Sequence, residues 1–88
     1  MNVERDQLGE VVKRLNRVQG QLGGVVRMIE EGRDCADVVT QLAAASRALD
    51  RAGFKIIATG MKQCLEQDDP AARRLDESAL EKLFLSLA

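Results

Sequence analysis

The chain has 88 residues with 13 basic and 14 acidic side chains, giving a formal net charge of −1. This length predicts one domain over residues 1–88, and no stretch is apolar enough to span a membrane. Without His, Tyr or Trp, the sequence lacks most residues used in general-base catalysis and in imidazole metal ligation. We therefore predict neither an enzyme nor a protein with a cofactor. Two cysteines and no signal-peptide pattern predict a cytoplasmic location.

The first helix is predicted from about Glu4 to Glu31. Its apolar residues repeat with heptad spacing, which indicates a helix that packs along one face. They are Leu8, Val11, Leu15, Val18, Leu22, Val25 and Ile29. Gly32 is a natural helix stop, and the short Gly-Arg-Asp connection predicts that the next helix runs antiparallel to the first.

The second helix is predicted from Asp34, a suitable N-cap, to about Gln67, with a cysteine near each end. Cys35 and Cys64 lie 29 positions apart in the sequence. This spacing places them on nearly the same helical face but about 43 Å apart. No disulfide spans such a distance, so the two thiols can work together only between chains. Two antiparallel copies of this helix would bring Cys35 of one chain beside Cys64 of the other.

The third helix is predicted after Asp68-Asp69-Pro70, because proline is disfavoured inside a helix and favoured in its first turn. It begins at Ala71 or at the capping box Ser78–Glu81, and it ends near Leu87. The sequence contains no strand candidate. The predicted fold class is therefore all-α, with three helices.

Two readings of the cysteines stay open. Cys35 falls in the first turn of a helix, where the helix dipole favours the reactive thiolate. Gly60 lies one turn before Cys64 and leaves space beside it. Alternatively, both cysteines are small buried apolar residues, which is a common role for cysteine.

Basic residues concentrate in the middle of the first two helices, where acidic residues are scarce. The first helix carries Lys13, Arg14 and Arg17, and the second carries Arg47, Arg51 and Lys55. This distribution favours binding to the phosphates of nucleic acid despite the negative net charge. The alternative is that both strips are only solvated helix faces.

Two motifs resemble the copper-sensing operon repressor (CsoR) family of bacterial transcription regulators. They are RLxRxxGQ, which begins at Arg14, and DCxDVxxQ, which begins at Asp34; a second cysteine follows 29 residues after the first. The resemblance implies an antiparallel four-helix-bundle dimer and a disc-shaped homotetramer. It also implies a cytoplasmic repressor that leaves operator DNA when an inducer binds between subunits.

The resemblance assigns roles to individual residues. The inducer-sensing cysteines correspond to Cys35 and Cys64. The DNA-binding residues correspond to Arg14 and Arg51, with Lys13 and Arg17 close by in sequence, and the helix periodicity adds Arg47 and Lys55.

The chain departs from the copper-sensing pattern at one position. Copper-sensing members carry a His four residues before the second cysteine, where this chain has Gly60. Nickel- and cobalt-sensing members need several His residues, and formaldehyde-sensing members carry a proline where this chain has Asn2. A His-free pair of cysteines is similar to the persulfide-sensing branch, the CsoR-like sulfurtransferase repressors (CstR).

We therefore predict a DNA-binding repressor whose inducer is a reactive sulfur species that modifies or crosslinks Cys35 and Cys64 between subunits. The alternative inducer is Cu(I), bound by the same two cysteines, and no other metal is expected. A thiol-redox enzyme and a structural helical adaptor are the remaining hypotheses.

Overall fold

The computed structural model describes residues 2–88, which form three α-helices after one 3-10 turn at Arg5–Leu8. Helix α1 spans Gly9–Glu30, α2 spans Cys35–Leu65 and α3 spans Pro70–Leu87. Residues 2–88 contain no strand, which confirms the predicted all-α class with three helices. None of these helices combines the length and the apolar character that crossing a lipid bilayer requires.

The first helix starts later than the sequence predicts. Instead of a helix from Glu4, the chain makes the 3-10 turn, in which the Gln7 N–H donates to the Glu4 carbonyl at 3.1 Å. The Glu4 N–H donates to the side chain of Gln63 in α2, also at 3.1 Å. Regular α-helix begins only at Gly9.

Helix α1 ends at the glycine that the sequence marks as its stop. Gly32 has a φ of +69°, a left-handed conformation that costs glycine little because it has no Cβ. Its N–H donates to the Ile29 carbonyl at 3.1 Å, and the Arg33 N–H donates to the Met28 carbonyl at 2.9 Å. This pair of bonds is a Schellman motif, which satisfies the last carbonyls of the helix and turns the chain toward α2.

The two acidic residues before α2 and α3 behave differently. Asp34 occupies the N-cap position of α2, but its side chain makes no capping hydrogen bond. Asp69 does cap α3, because its Oδ1 accepts from the Ala71 N–H at 3.0 Å. The third helix thus begins at Pro70, one residue before the earlier of its two predicted starts.

Helix α2 is the central element of the structure. Both α1 and α3 pack on α2, and the two do not contact each other. The buried residues of α1 and the matching residues of α2 repeat every seven positions. They are Val11, Val18 and Val25 on α1, and Ala45, Ala52 and Thr59 on α2. The small side chains on α2 allow the two helix backbones to approach closely.

Helix α3 runs antiparallel to the second half of α2. The rings of Phe54 and Phe84 lie 5.4 Å apart between centroids. Near the end of α3, the Leu87 side chain lies close to Gly53. A Cβ added to Gly53 would lie 2.7 Å from the Leu87 Cδ1. Gly53 therefore marks the point where the end of α3 presses against α2.

A single chain leaves much of its apolar surface uncovered. Its accessible surface is 6591 Å², whereas a compact monomer of this mass exposes about 5,100 Å². The radius of gyration is 17.0 Å, compared with about 12 Å for a compact domain of this length. Three of the seven residues in the predicted heptad stripe of α1 are exposed, as are two leucines in the first half of α2. These residues are Leu15, Leu22, Ile29, Leu42 and Leu49.

Candidate functional site

Four arginines from two helices line one groove. Arg14 and Arg17 of α1 face Arg47 and Arg51 of α2 across a volume of about 280 Å³. Two alanines and one glutamine complete its lining, and among residues 2–88 no acidic side chain contributes to it. The groove therefore concentrates positive charge at a point where the whole chain is slightly negative.

The helix geometry explains why these four side chains meet. Arg14 and Arg17 are three residues apart, and Arg47 and Arg51 are four apart, so each pair occupies one side of its helix. Antiparallel packing of α1 on α2 then brings the two pairs together. Within residues 2–88, the structure contains one ion pair, and it includes none of these arginines. Their guanidinium groups are thus free of carboxylates.

Two of the predicted DNA-binding residues lie outside this groove. Lys13 points to another side of α1, where its Nζ lies 3.9 Å from a carboxylate oxygen of Glu10. Lys55 lines a separate groove together with Lys62, and this groove also contains Glu10 and Glu66. Acidic neighbours make both sites less favourable for phosphate. One residue of the sequence motif, Gln21, does line the arginine groove, and its Oε1 is buried without a hydrogen-bond partner among residues 2–88.

The cysteines occupy opposite ends of α2. Cys35 is the first residue of the helix and is exposed to solvent. This is the first-turn position that the sequence predicts for Cys35. A reagent in solution can therefore reach Cys35 directly.

Cys64 lies in a different environment. Only 2% of the residue is exposed, and its Sγ–H donates to the backbone carbonyl of Arg73 in α3 at 3.4 Å. Burial raises the pKa of the Cys64 thiol, the carboxylates of Glu77 and Asp76 raise it further, and the positive charge of Arg73 lowers it. The structure thus keeps Cys64 protonated and covered.

A small cavity adjoins Cys64. Its volume is about 170 Å³, and its lining includes Asn2, Gln63, Gln67 and Asp76. Gln63 binds the N-terminal segment with both ends of its amide. Its Nε2 donates to the Asn2 carbonyl at 2.7 Å, and its Oε1 accepts from the Glu4 N–H. Sequence reasoning missed Gln63, because no pattern indicates a bond between residues 61 positions apart.

One chain does not bring its two cysteines together. They stand at the two ends of α2, about 43 Å apart along the helix axis. Among residues 2–88, no group of three or more Cys, His, Asp or Glu side chains is placed to hold a metal ion. A site that uses both cysteines must therefore include a second copy of the chain.

Comparison with known proteins identifies related sequences over most of the chain. A family model described as metal-sensitive transcriptional repressor matches residues 8–85. The copper-sensing transcriptional repressor RicR of Mycobacterium tuberculosis is 39% identical over 59 residues, which cover 67% of this chain and 62% of that protein. The copper-sensing transcriptional repressor CsoR of Bacillus subtilis is 29% identical over 62 residues, which cover 70% of this chain and 58% of that protein. The chain thus spans about three fifths of these relatives.

A solved structure resembles the fold over its full length. The nickel-responsive transcriptional regulator InrS superposes with a TM-score of 0.78 and 28% sequence identity, covering 100% of this chain and 98% of that one. The three-helix arrangement described above therefore matches that of a transcriptional regulator.

The environment of Cys64 predicts its titration behaviour. In a Cys35→Ala variant, the thiolate absorbance should develop with a midpoint above the ordinary cysteine pKa of 9.0. Unfolding should return the midpoint to about that value. The folded state favours the protonated Cys64 thiol, and this preference stabilises the fold. The stabilisation is complete below the pKa of Cys64 in the unfolded chain, and it is lost as pH rises through the pKa of Cys64 in the folded chain. Ultraviolet titration measures this cleanly, since the chain has no Tyr. A folded midpoint at or below 9.0 would contradict the described burial.

Proposed function

We propose that this chain, which belongs to the family of metal-sensitive transcriptional repressors, is a cytoplasmic repressor. It is proposed to bind operator DNA through the arginine groove. We further propose that an inducer acting on Cys35 and Cys64 releases it from the DNA. The groove of four arginines is the observation that carries the first part, and the composition and placement of the cysteine pair support the second.

The arginine groove has the chemistry of a phosphate-binding surface. A guanidinium group donates hydrogen bonds in a planar fork that matches two phosphate oxygens. Four such groups without an acidic neighbour in the groove suit a DNA backbone better than a neutral or cationic partner. The two long helices do not form a short helix-turn-helix pair, so backbone contacts are expected to dominate over insertion of a recognition helix.

Assembly into a homotetramer is part of this proposal. The exposed leucines of α1 and α2 form an apolar surface that a second copy would cover, giving an antiparallel four-helix bundle with two helices from each chain. The symmetry of such a dimer places Cys35 of each chain beside Cys64 of the other. Two dimers then combine to bring several arginine grooves to one DNA site.

The proposed inducer is a persulfide. The exposed Cys35 thiolate attacks the outer sulfur of a persulfide RSSH, the S–S bond of the donor breaks, and the thiolate RS⁻ leaves. Cys64 of a second copy then attacks the Cys35 sulfur of the new persulfide and displaces hydrogen sulfide. The product is a Cys35–Cys64 disulfide between chains, and the outer sulfur leaves reduced to sulfide. Cys64 must lose its proton before this attack, and because its burial and raised pKa both disfavour the thiolate, we expect it to react after Cys35.

Cu(I) is a second candidate inducer, favoured by the two copper-sensing relatives. Cu(I) accepts two thiolates, so Cys35 and Cys64 of adjoining chains fit it when both are deprotonated. The raised pKa of Cys64 does not separate the two inducers, because Cu(I) binding and attack on the Cys35 persulfide both require the Cys64 thiolate. Nickel and cobalt fit less well, since the chain has no His to offer imidazole nitrogen.

The assembly is tested by sedimentation. The purified chain should form tetramers at micromolar concentration, without a stable folded monomer. Leu22→Glu introduces a charge on the exposed apolar row and should break the assembly. Gln19→Glu adds the same charge at an exposed polar position of α1 and should leave it intact. A folded monomer of the unaltered chain would refute this part of the proposal.

DNA binding is tested by removing single charges. Arg14→Ala or Arg51→Ala should weaken operator binding about tenfold or more, as the loss of a charged hydrogen bond predicts. Each lost phosphate contact should lower the salt slope by about 0.9. Lys13→Ala, which removes the same charge outside the groove, should have a smaller effect. If both arginine variants bind as tightly as the parent, the groove is only a solvated surface.

The inducer is tested by adding a persulfide donor or Cu(I) to the repressor on operator DNA. The persulfide should produce covalent dimers on non-reducing gels and release the DNA, and reductant should reverse both changes. Cys35→Ala should abolish the response, whereas Cys64→Ala should still take up sulfur without forming the crosslink. If stoichiometric Cu(I) releases the DNA while the persulfide forms no crosslink, the inducer is copper and not a persulfide.

A further inference from the structure

We propose that Gln63 is a positioning residue that holds residues 2–4 across Cys64, and that this cover makes Cys64 react after Cys35. The inference concerns the reactivity of the two thiols toward any electrophile. It therefore does not depend on which inducer acts in the cell.

The first step of the argument is the geometry of Gln63. Its amide is bonded at both ends to the backbone of the N-terminal segment, to the Asn2 carbonyl at 2.7 Å and to the Glu4 N–H at 3.1 Å. Among the side chains, only Asn and Gln offer an amide that donates and accepts in this way. Within residues 2–88, these are the hydrogen bonds that join residues 2–4 to α2.

The second step is the burial of the next residue. Cys64 is only 2% exposed, although it lies in the last turn of α2 and its neighbour Leu65 is 62% exposed. Helix α3 covers Cys64 from one side, where the Arg73 carbonyl accepts from its thiol. The cavity beside Cys64 is bordered by Asn2 and Gln63, and also by Gln67 and by Asp76 of α3. The N-terminal segment thus supplies one wall of the space next to the sulfur.

The third step is the limited space beside the sulfur of Cys64. The cavity beside Cys64 has a volume of about 170 Å³, which is smaller than the roughly 300 Å³ of the smallest ordinary ligand pockets. Asn2 borders this space, so a bulky sulfur donor or alkylating reagent has little room beside the sulfur while residues 2–4 are in place. Cys35 has no such cover within its own chain, so we expect it to be the first thiol to react.

Release of residues 2–4 is then the step that admits a second reactant to Cys64. This segment has no regular secondary structure, and one side chain supplies its bonds to α2. Loss of the Gln63 amide should therefore open the cover by local rearrangement while the helices stay folded.

The test compares a small and a bulky thiol reagent on the assembled Cys35→Ala protein, in which Cys64 is the single thiol. Iodoacetamide is the small reagent, and a polyethylene glycol maleimide is the bulky one. The ratio of the bulky to the small rate reports steric access, because changes in thiol ionisation affect both rates. Adding Gln63→Ala should raise this ratio about tenfold, since the opening equilibrium loses two hydrogen bonds.

Two further variants keep the test specific. Gln67→Ala removes a side chain from the same cavity, but Gln67 makes no hydrogen bond to residues 2–4 in the structure. It should change the ratio less than about twofold. Gln63→Glu keeps the acceptor for the Glu4 N–H but loses the donor to the Asn2 carbonyl, so it should give an intermediate ratio. If Gln63→Ala fails to fold, Gln63→Glu replaces it in the test.

An unchanged ratio in both Gln63 variants would overturn the inference. An equal rise in Gln67→Ala would also overturn it, because general loosening of the cavity would then explain the effect. Circular dichroism and sedimentation verify that each variant is folded and assembled. Neither DNA binding nor a persulfide response enters the measurement, so its failure is distinct from a failure of the proposed function.

Discussion

The packing of α1 on a row of small residues in α2 is the contact on which the rest of the structure depends. Ala45 and Ala52 are almost fully buried, and their small size lets the two helices approach closely. The same approach brings the arginines of both helices to one groove, next to Ala44 and Ala48. Larger residues in this row would separate the helices and spread the positive charge. Packing and the charged surface therefore depend on the same short side chains.

Helix α3 connects the covered cysteine to the middle of α2. At one end the Arg73 carbonyl accepts from Cys64, and at the other Leu87 presses against Gly53, two residues from Arg51 of the groove. Helix α3 therefore contacts α2 both beside Cys64 and close to the segment that carries Arg47 and Arg51. Cys35 has no comparable contact, because it is exposed at the start of α2.

The sequence predicted those features that local chemistry determines. Gly32 and Pro70 correctly marked where helices end and begin, since the backbone preferences of glycine and proline act within a few residues. The arginines were found from their spacing on each helix, although spacing did not separate Arg14 from Lys13, whose side chain turns toward Glu10. The hydrogen bond between Gln63 and the N-terminal segment was not predictable, because it depends on the fold bringing the Gln63 amide to the Asn2 carbonyl, 61 positions away in the sequence.

The two cysteines have the same side chain but very different surroundings, because they lie at opposite ends of α2. Both lie on α2, yet Cys35 is exposed at the start of the helix, and Cys64 is buried, bonded to α3 and next to a cavity that Asn2 also lines. The arginine groove lies between them, and neither thiol contributes to it. Gly60, one turn before Cys64, offers no donor atom in its side chain, and it does not line the groove. The side chains around each thiol can therefore change without altering the arginine groove, because the groove is lined by residues from the middle of α1 and α2.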